Sequence, residues 1–123
     1  DSRNVCPTGW HVPTDAEWTV LTNYLTANGH SGTEGTALKA TSGWDDSWDG
    51  TNRNGTDDYG WLGLPGGFRY SHGYFGNVGN FGEWWSSSQY NTGNARSRNL
   101  SMGNLSRDSN RKTSGFSVRC LKD

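Results

Sequence analysis

Apolar side chains follow two different rhythms along this 123-residue chain. Near the start, Trp18, Leu21 and Leu25 recur at i, i+3 and i+7 with Tyr24 beside them, which places them on one face of a helix. Thr14 precedes this run and Glu17 follows three residues on, the capping-box spacing in which each residue's side chain satisfies the other's free backbone amide. Asn28-Gly29 supplies a left-handed stop, so a helix is predicted over 14–28. A shorter helix is predicted over Glu34–Lys39, weakened by Gly35. From Trp84 onward the period shortens to two. Trp84–Ser87 reads as a strand. Ala95–Met102 reads as another, with Ser97, Asn99 and Ser101 on one face and Arg98, Leu100 and Met102 on the other. Gly103-Asn104 makes a turn, Leu105 begins a return strand, and Ser109–Arg111 makes the next bend. In a last strand Phe116, Val118 and Cys120 alternate inward. Cys6–Trp10 reads as a short strand entering a turn. Helices early and short antiparallel strands late predict an α+β domain.

Between these parts lie two less regular stretches. Residues 42–58 are crowded with Asp, Asn, Ser and Thr around Trp44 and Trp48. The run Asn52-x-Asn54-Gly55-x-Asp57 loosely resembles a calcium loop, although it lacks the EF-hand spacing and its closing Glu. The other reading is a polar loop held by Asx turns and two buried tryptophans. Tyr59–Tyr70 then packs aromatic and aliphatic residues among glycines, ending in a strand whose hairpin bend is Ser71-His72-Gly73, with Tyr74-Phe75 returning. Glycines recur at 73, 76, 79 and 82. Four repeats with aromatics between and no proline are not a collagen segment, and G-x-x-G without a βαβ context is not a dinucleotide fingerprint. These glycines are expected to let the backbone pass close to aromatic rings.

Composition limits the picture further. Seven Trp, five Tyr and four Phe offer enough large side chains to build one compact core despite few aliphatics. So many aromatics also argue against a disordered chain. No apolar run approaches the roughly 20 residues of a membrane span. The start at Asp1, without a signal-peptide pattern, reads as a trimmed segment. Residues 1–83 carry ten acidic and four basic side chains, whereas residues 84–123 carry seven basic and two acidic. That asymmetry fits internal pairing between the two parts better than a nucleic-acid surface, because the basic part has no DNA- or RNA-binding motif.

The only cysteines, Cys6 and Cys120, stand near opposite ends. A metal site built on cysteine wants clustered ligands, and His11, His30 and His72 are scattered and paired with neither cysteine, so no cysteine–histidine metal site is expected. A disulfide tying the ends, in an oxidising compartment, fits better. The alternative is a pair of buried free thiols in a cytosolic domain.

The stretch between Trp84-Trp85 and Phe116–Cys120 is almost entirely small or polar, and a core cannot explain it. A displayed surface can. Four segments in order, Cys6-Pro-Thr-Gly-Trp-His-Val-Pro-Thr-Asp-Ala-Glu-Trp18, Leu64-Pro-Gly-Gly-Phe-Arg69, Trp85-Ser-Ser-Ser88 and Gly115-Phe-Ser-Val-Arg-Cys120, resemble the Fibrobacter succinogenes major paralogous domain. The resemblance spans nearly the whole chain. It implies a C-type-lectin-like fold related to the formylglycine-generating enzymes, paired terminal cysteines, and a place in a larger secreted or surface protein of bacteria. The same superfamily holds the variable proteins of diversity-generating retroelements, in which mutagenised adenines leave Asn, Ser, Arg, Gly, Asp, Thr and Tyr near the C-terminus. Residues 88–110 are rich in these types.

The leading expectation is therefore a non-catalytic, extracellular ligand-binding domain. Its contact face would comprise Tyr90, Asn91, Arg96, Ser97, Asn99, Ser101, Asn104, Ser106, Arg107, Asp108 and Asn110. Tyr and Arg give anchoring area and charged hydrogen bonds, while Ser and Asn adapt, as in antibody paratopes. A solvated face that binds nothing is the plain alternative. Catalysis is not expected. The enzyme relatives imply cysteines in a cleft, whereas here both sit at the ends, and no Ser-His-Asp order, P-loop or zinc motif occurs. His11 and His72 read as structural. A third reading is carbohydrate binding, with Trp44, Trp48 or Tyr74 stacking on sugars and Asp45, Asp49 and Asn52 bonding hydroxyls or calcium. The Glu-Pro-Asn and Trp-Asn-Asp motifs of calcium-dependent lectins are absent.

Overall fold

The computed structural model of the chain describes residues 4–123. Helix α1 (Asp15–Leu25) begins where its cap dictates. The Thr14 hydroxyl accepts from the Glu17 amide at 3.2 Å, and the Glu17 carboxylate accepts from the Thr14 amide at 2.8 Å. Trp18 and Leu25 are its buried residues. The helix stops at Leu25, earlier than predicted, and passes through a π-type turn at Thr26–His30 that Gly29 ends with φ 93°. Helix α2 (Glu34–Leu38) follows. Gly35, which weakens α2 as a helix, is required by packing: a Cβ there would lie 2.5 Å from the Asn104 carbonyl oxygen. Beside it the Thr36 amide donates to the Gly103 carbonyl at 3.0 Å, so α2 sits directly against the loop of the late sheet.

Strands β1 (Trp10–His11), β2 (Phe68–Arg69) and β3 (Phe75–Gly76) are short, whereas β4 (Gly82–Gln89), β5 (Asn94–Leu100) and β6 (Leu105–Arg111) form an antiparallel sheet in the order β4-β5-β6. The outer edge of β4 is covered by residues 115–117, through Ser117 N to Glu83 O at 2.9 Å and Trp85 N to Ser117 O at 3.0 Å. Gly115 then exchanges two backbone bonds with Arg69, carrying the hydrogen bonding on to the β2–β3 hairpin. The last strand, β7 (Leu121–Lys122), pairs with β1, and next to that pair a disulfide joins Cys6 to Cys120 with Cα atoms 5.8 Å apart. The observed class is α+β.

The core gathers Trp18, Leu25, Ala37, Leu38, Trp44, Trp84, Leu100 and Leu105, so α1, α2, one loop tryptophan and the inner face of the sheet all contribute. Trp61 stands edge-on to both Trp18 (6.2 Å between centroids) and Trp84 (4.9 Å). A second cluster, on the far side of β4, stacks Phe116 on Trp85 at 4.2 Å and sets Phe68 edge-on to Phe81 and Phe116.

One buried ion pair ties helix to sheet. Arg98 is 2% exposed, and its guanidinium donates to the Asp15 carboxylate at 2.6 Å, the Asp15 carbonyl at 3.2 Å and the Thr19 hydroxyl at 3.3 Å. Arg107 on β6 grips the same carboxylate through Nε at 3.1 Å and Nη2 at 2.5 Å. Hydrogen bonding from Arg107, helped by Arg98 and opposed by burial, brings the Asp15 pKa from 3.8 down to about 2. Acidic and basic parts of the chain thus pair internally, as their charges suggest.

Several expectations need correction. Residues 7–10 form a turn, closed by Trp10 N to Pro7 O at 3.0 Å, and the strand follows the turn. Strand β5 ends at Leu100 and leaves Met102 exposed, because the chain turns there to reach α2. There is no bend at Ser109–Arg111; β6 runs through it and the turn comes at 112–114. Residues 116–120 make no continuous strand, and Val118 is exposed. Of the two loop tryptophans only Trp44 is buried, whereas Trp48 is 97% exposed. The glycine repeat is mixed in purpose: Gly76 and Gly82 do border the rings of Tyr70 and Trp84, but Gly79 makes room for the Asp45 carboxylate.

Asp15→Ala should lower unfolding free energy by about 3 kcal/mol in urea titrations at neutral pH, since it strands a buried guanidinium. Because the Asp15 pKa is depressed in the folded state, its contribution is complete above the unfolded value of 3.8 and fades as pH falls through about 2. A wild-type protein no more stable than the variant at neutral pH would contradict this role. Replacing both cysteines with Ser should cost about 2–5 kcal/mol, as expected for a native cross-link in a small domain, and reduction with dithiothreitol should match it.

Candidate binding face

Alternation along the strands sorts the polar residues into two sets. The register places Trp84, Arg98 and Arg107 in one cross-strand row, with Leu100 opposite Leu105, and this side faces α1. The other side carries Glu83, Trp85, Ala95, Ser97, Asn99, Ser106, Asp108 and Asn110, with Ser97 opposite Asp108 and Asn99 opposite Ser106. The expected contact residues are thus split between the two.

At the centre of the outward side lies an acid that the sequence reading passed over. Glu83 is 6% exposed, and its Oε1 accepts from the Ser97 hydroxyl at 3.1 Å and the Asn110 amide at 2.9 Å. Asn110 also donates to the Ser97 hydroxyl at 3.0 Å, closing a triangle. Burial pushes the Glu83 pKa from 4.5 up to about 7; the Ser97 bond opposes the rise and the nearby Asp108 charge adds to it. Half-exposed Asn110 is therefore held from beneath by a group that titrates near neutrality.

Ser97 is fully buried, so its place in the contact set is corrected: it supports the face and cannot touch a ligand. Arg107 is committed to Asp15 on the helix side, although half of its side chain remains exposed. Asn91 is occupied locally, its Oδ1 accepting from the amides of Gly93 and Asn94 at 3.0 and 2.9 Å to shape the β4–β5 turn. Asn104 donates to the Ser106 hydroxyl at 3.2 Å in the turn that docks on α2, and Ser101 is half-buried at its start. Six residues are left accessible: Tyr90 and Arg96 at the hairpin tip, where Arg96 lies on the Arg98 side of β5, and four on the outward side. Tyr90 is exposed at the hairpin tip with the Arg96 guanidinium 4.2 Å from its ring centroid, and Asn99 is hydrogen-bonded to exposed Asp108. Asn110 and Ser106, both half-buried, lie along the same outward strand.

Elsewhere, Trp44 is removed from the sugar-stacking set, since it is buried with its indole N–H donating to the Gly63 carbonyl at 3.0 Å and Lys39 against its ring. The loop oxygens are engaged: Asp49 caps the Thr51 amide, Asn52 the Asn54 amide, Asn54 the Trp44 amide, and Asp45 accepts from Asn80. The first two are the Asx turns of the second loop reading, and the last two tie the loop to Trp44 and Asn80. His11 bridges Glu17 (2.9 Å) and Asp123 (2.6 Å), which raise its pKa, and His72 stacks on Tyr70. Among the described residues, no three His, Cys, Asp or Glu side chains converge as a metal site, and no helix is long and apolar enough to cross a membrane.

The family model described as the Fibrobacter succinogenes major domain matches residues 1–122, and the chain belongs to that family. No curated protein and no solved structure matches it.

A glutamate whose folded pKa is raised stabilises nothing extra below its unfolded pKa and penalises the fold as pH rises. Stability should accordingly fall between about pH 4.5 and 7 and then level off. Glu83→Gln keeps an acceptor for Ser97 and Asn110 without the charge, so it should remove the Glu83 part of that slope and leave the variant more stable than wild type above pH 7. Urea titrations of both proteins across this range isolate the effect from that of His11, which titrates in both. Parallel stability curves would refute it.

Proposed function

We propose that this is a non-catalytic, extracellular or cell-surface ligand-binding domain of C-type-lectin-like fold, carried in a larger bacterial surface protein. Its outward β5–β6 face and the β4–β5 tip receive the ligand, which is a protein or another large partner, and no cofactor takes part. The single observation that carries this reading is the division of labour within one sheet. At the middle of the inward side Arg98 and Arg107 are spent on Asp15 of the helix, whereas Asn99, Ser106 and Asp108 lie on the outward side and Tyr90 with Arg96 over its ring stands at the hairpin end, clear of the core. Exposed Tyr90 with half-buried Arg96 over its ring, together with Asn99, Ser106 and Asp108 on the outward strands, has the mix of rigid anchor and adaptable polar contact found in paratopes. The terminal disulfide supports an oxidising location.

The face is also the region that diversification by a retroelement would rewrite. Sequencing of the coding region and its genomic neighbourhood in many isolates tests this directly. Substitutions should concentrate at positions 90, 96, 99, 106 and 108 and spare Ser97, Arg98, Leu100 and Leu105, with a template copy of the 3′ end and a reverse transcriptase gene nearby. Variation spread evenly over residues 88–111, burying positions included, would remove the diversified reading.

Carbohydrate binding is the second reading, and exposed aromatics favour it. Trp48 projects into solvent, and Tyr74 and Phe75 are exposed at the β2–β3 hairpin, where Tyr70, His72 and Tyr74 form a ladder with centroids 5.2 and 5.4 Å apart. A glycan array run with and without calcium separates the two readings. Glycan capture that is lost in Trp48→Ala or Tyr74→Ala, and kept in Arg96→Ala, would move the site off the sheet.

A further inference from the structure

A cavity of about 320 Å³ opens between α1 and the C-terminal segment; Trp18, Leu21, Trp61 and Leu121 make its walls, with Arg119 and Glu17 among its lining residues. Its volume is at the lower end of small-molecule sites. A second apolar trough along Val20, Leu21, Tyr24 and Leu121 shares three of those residues and continues from it.

Two polar groups of the cavity wall lack a protein hydrogen-bond partner among the described residues, half-exposed Arg119 and the buried indole N–H of Trp18. Arg119 lies with its guanidinium carbon 4.3 Å from the Trp61 ring centroid, and among the described residues no acceptor stands within hydrogen-bonding distance of it. Burial lowers its pKa, with the charge of Asp57 opposing. The indole N–H of Trp18 is buried and has no acceptor. The neighbouring acid does not answer either need. Glu17 gives one carboxylate oxygen to the Thr14 amide and hydroxyl and the other to His11. A half-exposed guanidinium at the mouth of an apolar cavity keeps water on its open side, and a ligand carboxylate that replaces that water forms a charge-assisted pair.

We propose that this cavity binds a small amphipathic monocarboxylate, an aryl- or alkyl-carboxylate whose carboxyl group pairs with Arg119 and whose apolar body lies against Trp61, Leu21 and Leu121. A planar carboxylate matches the fork of donors that the Arg119 guanidinium keeps free above the Trp61 ring. A multiply charged phosphate would leave charge uncompensated against these walls. The site shares no residue with the β5–β6 face, so the two assignments stand or fall separately.

The test uses 3-phenylpropionate, octanoate and the primary amides of both, titrated into the ¹⁵N-labelled protein while the tryptophan indole N–H resonances are followed. Both acids should shift Trp18 and Trp61 saturably at millimolar concentration or below, and the amides should bind about tenfold or more weakly because they lose the charge-assisted bonds. Arg119→Gln should erase that preference while leaving the remaining spectrum in place. If Arg119→Gln disturbs the fold, the acid–amide comparison in the wild-type protein decides alone. Equal binding of acids and amides, or no shift at Trp18 and Trp61 with either acid, would overturn the assignment.

Discussion

Asp15 is the hinge of the architecture. It is the first residue of α1, and one carboxylate there receives guanidinium groups from two neighbouring strands, Arg98 of β5 and Arg107 of β6. The position favours an anion for a further reason, since the free amides and the dipole at a helix N-terminus stabilise negative charge. Burying Arg98 to 2% exposure is tolerable only because its donors are met by the carboxylate, a carbonyl and a hydroxyl. The register of helix on sheet follows from that. Sliding α1 by one turn would separate all of these partners at once.

A chain with so few aliphatic residues must specify its fold by other means. The aromatic contacts of Trp18, Trp61 and Trp84 give burial and shape, and buried polar groups with single partners give alignment. Glu83, Ser97 and Asn110 repeat on the outward side what Asp15 does on the inward one, with a weaker, uncharged or half-charged acceptor near pH 7. The sheet is thereby pinned from both faces at β5. Tyr90 at the tip and Ser106 and Asp108 on the outward side of β6 lie beyond those pins.

Local signals were legible in the sequence wherever one residue's chemistry fixes one conformation. The Thr14–Glu17 cap, the Asn28-Gly29 stop, the β2–β3 hairpin and the α+β class all rest on short-range rules, and each appears in the structure. The family resemblance was legible too, from spaced anchors. What period-two alternation could not show was which polar side chains point inward to a charged partner. Ser97 and Arg98 sit side by side in β5 and both are buried, one beneath a glutamate and the other beneath an aspartate 83 residues away. The lone acid before Trp84-Trp85 and the excess of arginine opposite an acidic N-terminal part were the available hints. Trp44 and Trp48 differ for a similar reason: only the first finds a carbonyl, Gly63, for its indole N–H and a lysine for its ring.

Buried polar contacts build the frame, and residues 90, 96, 99, 106 and 108 are free of it. Saturation mutagenesis of residues 88–111, with folding read as protease resistance on a display platform, measures this most directly. Positions 90, 96, 99, 106 and 108 should accept nearly all polar substitutions, while Ser97, Arg98, Leu100 and Leu105 accept almost none. Equal tolerance at Arg98 and Asn99, neighbours on opposite faces of one strand, would contradict it.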